Sequence, residues 1–356
     1  MTCYKDEKRG TWYVGFRYKD WRGEPKRKTK RGFRTKREAA AWEASFKRSM
    51  EGVASMSFED ACAVYLDEIG PRLRESSLAG KRMMLECRII PYFTGLAVGE
   101  ITALHVMEWC SWLAGETGRF GKPLSTSYLN TLRSQLSAVF NHLVRYHGLA
   151  SNPVHMTLSF EGGEEGVCDV WTVEEYLSFS SVVADKPQVH IAFEILFWCG
   201  LRRGEMLALT YGDVDLGKGI LRVSKSLSKV GNRDVVGPPK TRQSYRTVAM
   251  PQFLVEELGE YFSWNGGASP SDRLLSKVTA SILAKELARG AKAAGVKRIR
   301  IHDLRHSHAT LLVERGYSVP AIAARLGHSG QTVTHRYIHA YKDADAKIAA
   351  GLSGVI

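Results

Sequence analysis

His302-Asp-Leu-Arg-His-Ser-His-Ala-Thr310 sets two imidazoles and a guanidinium within five residues, and Leu326-Gly-His-Ser-Gly-Gln-Thr-Val-Thr-His-Arg-Tyr-Ile-His339 adds His328 and Tyr337. Singly these residues are ordinary. His302 and His306 lie at i,i+4, as metal ligands on a helix do. Arg305 stands between them, a third ligand is missing and no His-Glu-x-x-His pattern occurs, so no metal is expected. A tyrosine such as Tyr337 is by itself a packing residue far more often than a nucleophile.

Two upstream stretches change this reading: Cys199-Gly-Leu-Arg-Arg-Gly-Glu-Met-Leu-Ala-Leu209 and Pro238-Pro-Lys-Thr-Arg-Gln-Ser-Tyr-Arg-Thr-Val248. Arg202 and Glu205 could be no more than an i,i+3 ion pair, and Lys240 a solvated lysine. Together with the downstream residues they answer the difficulties of cutting a phosphodiester. Guanidinium forks bind non-bridging oxygens and stabilise charge in a pentacoordinate transition state. A lysine or histidine can protonate the leaving oxygen. A phenol, with a pKa near 10, needs a neighbouring base before it attacks. A phosphotyrosyl ester would conserve the bond energy, so religation needs no ATP.

In order and spacing the set resembles the tyrosine recombinase (phage integrase) family. On that resemblance Arg202, before Gly-Glu, is the first catalytic arginine, with Arg203 only its neighbour, and Glu205 supports it. Lys240, within Lys-Thr-x-x-Ser-x-Arg-Thr-Val, is the strand-turn lysine. His302 and Arg305 fill His-x-x-Arg, His328 follows Leu-Gly, and Tyr337 is the nucleophile. The resemblance implies that Tyr337 forms a 3′-phosphotyrosine, that Arg202, Arg305 and His328 hold the phosphate, and that Lys240 and His302 move protons, their division of labour left open.

The rest of the chain fits a multidomain, mainly α protein. Net charge is +13, yet residues 1–50 carry 16 Lys and Arg against 6 Asp and Glu. Such a block suits a polyanion, because Lys and Arg displace counterions from phosphates. Within it Thr11–Tyr18 alternates, with Trp12, Val14, Phe16 and Tyr18 on one face of a strand. Asp20–Gly23 reads as a turn and Lys26–Arg31 as a second strand with a basic outer face. Thr35 and Glu38 open a helix through Ala39, Trp42 and Phe46. The block resembles the three-stranded, one-helix arm-binding domain of conjugative-transposon and phage integrases. Its expected DNA contacts are Arg17, Lys26, Arg27, Lys28 and Lys30.

Residues 54–156 read as a helical core-binding domain. Ser57 and Asp60 form a cap. Apolar stripes run through Leu85, Ile89 and Phe93, through Val106, Trp109 and Leu113, and through Leu129, Leu132, Leu136, Val139, Phe140 and Leu143. These are core; phosphates would meet the polar faces, at Lys81, Arg82, Arg133 and Arg145. The Gly/Glu-rich stretch 161–166 is the best linker. Residues 168–356 form a mixed α+β catalytic domain in which Thr172 and Glu175 open a helix, strands cover 220–223, 233–236 and 245–250, and Arg242 is a further DNA contact. The tail 340–356 packs on its own domain or on a neighbouring protomer.

Six scattered cysteines without a Cys-x-x-Cys pair speak against a disulfide framework or zinc cluster. No secretory signal is read at the start, and the apolar run 191–201 is too short to span a bilayer, so a cytoplasmic protein is expected. The resemblance further implies double-stranded DNA with core and arm sites, a homotetramer passing through a Holliday junction, and excision or DNA-bending accessory factors, with no cofactor and no membrane. The expected role is integration and excision of a mobile element. A chromosome- or plasmid-dimer resolvase and a non-catalytic DNA-binding regulator are the alternatives.

Overall fold

The computed structural model describes residues 3–7, 10–19, 25–49, 52–118, 121–162, 169–239, 241–266 and 268–327. The chain divides into two compact units, Met1–Glu165 and Gly166–Ile356. The Asp20–Gly23 turn, most of the 161–166 linker and the 340–356 tail lie outside the described residues.

The first unit opens with a three-stranded antiparallel sheet, β1 (Cys3–Asp6), β2 (Thr11–Lys19) and β3 (Pro25–Phe33), followed by α1 (Lys36–Ser49). Thr35 caps α1 as expected, its Oγ1 accepting from Glu38 N at 3.1 Å, while the Glu38 carboxylate accepts from Arg34 N at 3.0 Å. Val14, Phe16, Phe33, Ala39 and Phe46 form the core between sheet and helix. β1 carries no sequence signal of its own: Cys-Tyr-Lys-Asp is short, polar and at an edge.

The register corrects the expected basic face. Val14 pairs with Lys30 and Phe16 with Lys28, whereas Tyr13 pairs with Arg31 and Arg17 with Arg27. Opposed residues of an antiparallel pair share a face, so the basic run is split by the two-residue alternation. Lys28 and Lys30 belong to the helix-packed face. Lys28 Nζ lies 5.3 Å from the Phe46 ring centre and 3.1 Å from a Glu100 oxygen, and Lys30 Nζ lies 4.8 Å from the Trp42 ring centre. Their ammonium groups lie over aromatic rings, a cation–π arrangement. Arg17, Arg27 and Arg31 occupy the opposite face, with Tyr13 stacked on Tyr4. Lys26 pairs with Tyr18 in the register.

The helical part of this unit contains α2 (Phe58–Ile69), α3 (Glu75–Met84), α4 (Ile90–Phe93), α5 (Ala103–Gly115) and α6 (Thr126–Tyr146). Ser57 caps α2, accepting from Asp60 N at 3.1 Å. Leu85, Ile89 and Phe93 are fully buried with Trp109, Leu132, Leu136 and Phe140. Residues Leu85–Ile89, between α3 and α4, form a π-helical turn. Pro91 explains it: the ring lacks an N–H and crowds the carbonyl four residues back, which a wider turn relieves.

Two of the expected phosphate contacts in this region have internal partners. Arg133 Nη2 donates to the carbonyls of Val154 (2.9 Å) and Thr157 and to Thr157 Oγ1, so this guanidinium clamps the 154–157 turn. Lys81 Nζ donates to Tyr65 Oη (3.2 Å) and Gln135 Oε1 (2.8 Å). Arg82 is exposed beside Glu86 at 3.7 Å, and Arg145 is exposed.

The second unit comprises α7 (Val173–Val183), α8 (Pro187–Trp198), α9 (Arg203–Leu207), β4 (Val214–Asp215), β5 (Ile220–Val223), β6 (Ser226–Val230), β7 (Arg233–Gly237), β8 (Arg246–Ala249), α10 (Gln252–Trp264), α11 (Ala280–Ala293), α12 (Ile301–Glu314) and α13 (Val319–Leu326). A reciprocal cap opens α7: Thr172 N donates to Glu175 (2.9 Å) and Glu175 N to Thr172 Oγ1 (3.2 Å). α8 is apolar almost all round and runs through the core, with Phe193, Ile195, Leu196 and Phe197 buried. The expected single strand region is two sheets, β4-β5-β8 and the hairpin β6-β7. β6 escaped the sequence reading because Ser-Leu-Ser-Lys-Val offers no apolar face to bury. No helix among the described residues is long and apolar enough to cross a membrane.

Candidate active site

α8 ends at Trp198, and Gly200 follows in the left-handed region at φ 63°. A Cβ there would lie 2.5 Å from the His308 ring and 2.8 Å from Leu326. Only glycine fits this turn, and it delivers Arg202 to the N-cap of α9. Arg202 Nη1 donates to Glu205 Oε1 at 2.7 Å and to Ser244 Oγ at 3.3 Å, and Nη2 donates to the Gly327 carbonyl at 2.9 Å. The i,i+3 pair read from sequence is therefore real, but it is only part of what this guanidinium does. Among the described residues, Arg202 Nε and its second Nη2 proton have no acceptor, and the side chain is 31% exposed.

Glu205 is 2% exposed and also accepts from Arg202 N (3.0 Å) and Arg246 Nη2 (2.9 Å). Burial alone would raise the pKa of its carboxyl. The hydrogen bond and charge of Arg246, with the backbone and side-chain hydrogen bonds of Arg202, outweigh burial and hold it below the ordinary value.

Arg305 projects from α12 and is 2% exposed. Its Nη1 donates to Gly200 O at 2.8 Å and its Nη2 to Leu326 O. Arg246 Nε donates to Arg325 O at 2.7 Å. Three successive carbonyls at the end of α13, those of Arg325, Leu326 and Gly327, thus each accept from a different arginine. The last carbonyls of a helix lack intrahelical donors and carry its negative pole, so guanidiniums suit them. The next residue in the chain is His328.

The loop before β8 is stapled by Ser244. Its N–H donates to Thr241 O at 3.0 Å, and its Oγ lies 2.9 Å from Thr241 Oγ1. Arg242 starts a 3-10 turn over Arg242–Ser244. Ser244 and Arg246 were not singled out from sequence. Their signal was the spacing Lys240-x-x-x-Ser244-x-Arg246. Lys240, His328 and Tyr337 lie outside the described residues. The structure therefore brings together Arg202, Glu205 and Arg305, with His302 on the same helix as Arg305.

His302 lies on the first turn of α12, its ring edge-on to His306 at 4.9 Å. Beside it is a groove of about 350 Å³ lined by Arg203, Arg298, Arg300, Ala284, Leu287 and Ala288. The His302 side chain is solvent-exposed on one side; partial desolvation comes first, then the charges of His306 and Arg305, and together they lower its pKa to about 4. A neutral imidazole at neutral pH can accept a proton. Below an ordinary value of about 6.5 the unfolded chain takes up a proton that the folded site refuses. This group's stabilisation is therefore complete above about pH 6.5 and is lost as pH falls towards 4. Histidine-resolved NMR of the DNA-free protein should find His302 neutral at pH 5.5; a midpoint near 6.5 would contradict this environment.

Away from this site, Glu68, His142 and His147 form the group of metal-ligand type found among the described residues. Both imidazoles donate Nε2–H to one Glu68 oxygen, at 2.7 and 3.1 Å, an arrangement hydrogen bonding explains without a cation.

Comparison with known proteins places these residues in context. Residues 171–344 match the phage integrase family, residues 2–50 an arm DNA-binding domain, and residues 57–114 the N-terminal SAM-like domain of phage integrases. The integrase of Mycobacterium phage L5 is 32% identical over 343 residues, covering 89% of this chain and 88% of that protein. The chain belongs to the phage integrase family. It is a tyrosine site-specific DNA recombinase. The ICEBs1 integrase of Bacillus subtilis is 28% identical over 344 residues, covering 90% of this integrase and 91% of its own length. The Tn1549 transposon integrase, solved with a circular intermediate DNA, shares the fold with a TM-score of 0.67 at 22% identity, covering 78% of this chain and 94% of that one.

Proposed function

We propose that this integrase inserts and excises a mobile genetic element, with Arg202, Lys240, His302, Arg305, His328 and Tyr337 as its catalytic residues and Glu205 as their support. One observation carries the reading. Arg202 and Arg305 come from different elements, yet converge on the consecutive carbonyls of Gly327 and Leu326, immediately ahead of His328. Arg202 keeps outward N–H groups, and these can bind a non-bridging phosphate oxygen. Arg305, held from behind by two carbonyls, presents a fixed positive charge, while Glu205 pairs with Arg202 and Arg246. Fixed charge of this kind stabilises a pentacoordinate phosphorane without reorganising during reaction.

Tyr337 attacks the scissile phosphate and its oxygen forms the new P–O bond. The 5′-oxygen leaves and takes a proton from Lys240. His302, neutral at neutral pH, accepts the phenol proton. Reversal with a different 5′-hydroxyl rejoins the strand. Each cut occupies one tyrosine, and exchange between two duplexes cuts four strands, so four protomers act through a Holliday junction. Residues 1–52 form the arm-binding domain, 54–156 the core-binding domain and 168–356 the catalytic domain. On the arm-binding sheet Arg17, Arg27 and Arg31 face away from α1 and are the better phosphate contacts than Lys28 and Lys30. The protein works on cytoplasmic double-stranded DNA, with excision or bending factors as further partners.

The test is recombination between two plasmid-borne copies of the element's attachment sites, in a chelator and without ATP. A joined product is expected. Failure on verified sites with intact DNA binding would favour a regulator. Deleting residues 1–52 should weaken arm-site binding by at least tenfold in a mobility-shift assay while leaving core-site cleavage partly intact. Unchanged arm binding would refute the assignment of that domain.

A further inference from the structure

We propose that Arg246 is a positioning residue for strand cleavage. It holds the end of α13, and so the start of the segment leading to His328 and Tyr337, in register with Arg202. The inference rests on the reading of the active site given above and extends it to a residue whose three guanidinium nitrogens are all engaged within the protein.

All three guanidinium nitrogens of Arg246 are spent inside the protein. Nε donates to Arg325 O at 2.7 Å, Nη1 to Ser244 O at 3.1 Å and Nη2 to Glu205 Oε2 at 2.9 Å. The side chain is 6% exposed. These acceptors belong to three separate pieces of the site: the end of α13, the stapled loop after Lys240, and the carboxylate that holds Arg202. A planar fork can fix three such pieces at once, which a lysine ammonium cannot.

Two further contacts make the coupling tight. Glu205 Oε2 is shared between Arg246 Nη2 and Arg202 N–H, so losing Arg246 removes one restraint on the carboxylate that orients Arg202. Gly327, at φ 67°, lies so close that a Cβ would come within 3.2 Å of Arg246 Cδ and Nη1 and 3.0 Å of Gln243 O. A side chain at this last residue before His328 would therefore press on the guanidinium. A shift of about 1 Å between a nucleophile's segment and its phosphate clamp can cost about a hundredfold in rate.

The test compares wild type, Arg246→Lys and Arg246→Gln on a nicked suicide core site. It measures core-site Kd, the single-turnover rate of covalent adduct formation at saturating protein, and the thermal melt. Both variants should bind within about threefold of wild type. Adduct formation should slow about tenfold for lysine and about a hundredfold for glutamine. A role confined to folding would lower binding and melting temperature and leave the rate of the bound complex unchanged. That outcome overturns the proposal, as does a wild-type rate in both variants. If Arg246→Gln does not fold, Gly327→Ala presses on the same guanidinium from the other side, and its bound-state rate is read in the same way. No adduct from wild type on a verified site would instead sink the reading of the active site, and this inference with it.

Discussion

Arg305→Ala should slow covalent adduct formation by about a thousandfold or more at saturating protein. Removing one fixed donor from a developing oxyanion costs about 10²–10³ in rate, and this residue carries a full charge as well. Stability should fall too. The Gly200 and Leu326 carbonyls that accept from Arg305 are buried with it, and an unpaired buried acceptor costs about 1–3 kcal/mol. The rate of the bound complex separates the two effects. Arg305→Lys should recover only a small part of the loss, because one ammonium cannot meet two carbonyls and a phosphate. A lysine variant within threefold of wild type would show that the fork geometry is irrelevant and that charge alone suffices.

Gly200→Ala should be strongly destabilising for the catalytic unit. The residue has a positive φ, and the new methyl would stand 2.5 Å from the buried His308 ring and 2.8 Å from Leu326. Backbone strain of about 1–3 kcal/mol adds to overpacking of about 1–3 kcal/mol. A loss of about 3–5 kcal/mol should appear in denaturant unfolding as a lower midpoint with an unchanged slope. Both neighbours sit on the elements that hold Arg305 and its acceptor, so adduct formation should fall even at temperatures where the variant stays folded. A stability within about 1 kcal/mol of wild type would mean that the turn adapts, against tight packing around Gly200.

Much of this architecture was legible in the sequence where one periodicity met one cap. Ser57, Thr172 and Thr35 open helices because a hydroxyl and a downstream N–H suffice to stop the chain fraying. The stripe from Leu129 to Leu143 is core because its spacing leaves it no other face. The misreadings have equally local causes. Lys28 and Lys30 were grouped with Arg27 on composition, but alternation along β3 sends them to the α1 side. Arg133 lies on a helix beside polar residues and looked available, yet the 154–157 turn that it clamps is not visible from its own helix. β1 and β6 carry too little apolar surface to announce themselves. In the site, Arg202, Glu205 and Arg305 could be named because phosphate chemistry demands their types. Arg246 and Ser244 left only their spacing after Lys240 as a signal, since they touch other protein groups and their role exists only once the three pieces are folded together.

Tyr337 is the one group assigned to bond formation, and the proposed chemistry depends on it. The direct measurement uses a nicked suicide substrate carrying the verified core site, incubated with wild type and with Tyr337→Phe, followed by denaturing electrophoresis and peptide mapping of any adduct. Wild type should trap a denaturation-resistant complex whose single DNA-linked peptide contains Tyr337, and the phenylalanine variant should bind the site equally and trap none. An adduct that persists in Tyr337→Phe, or one mapped to another residue, would contradict the central claim.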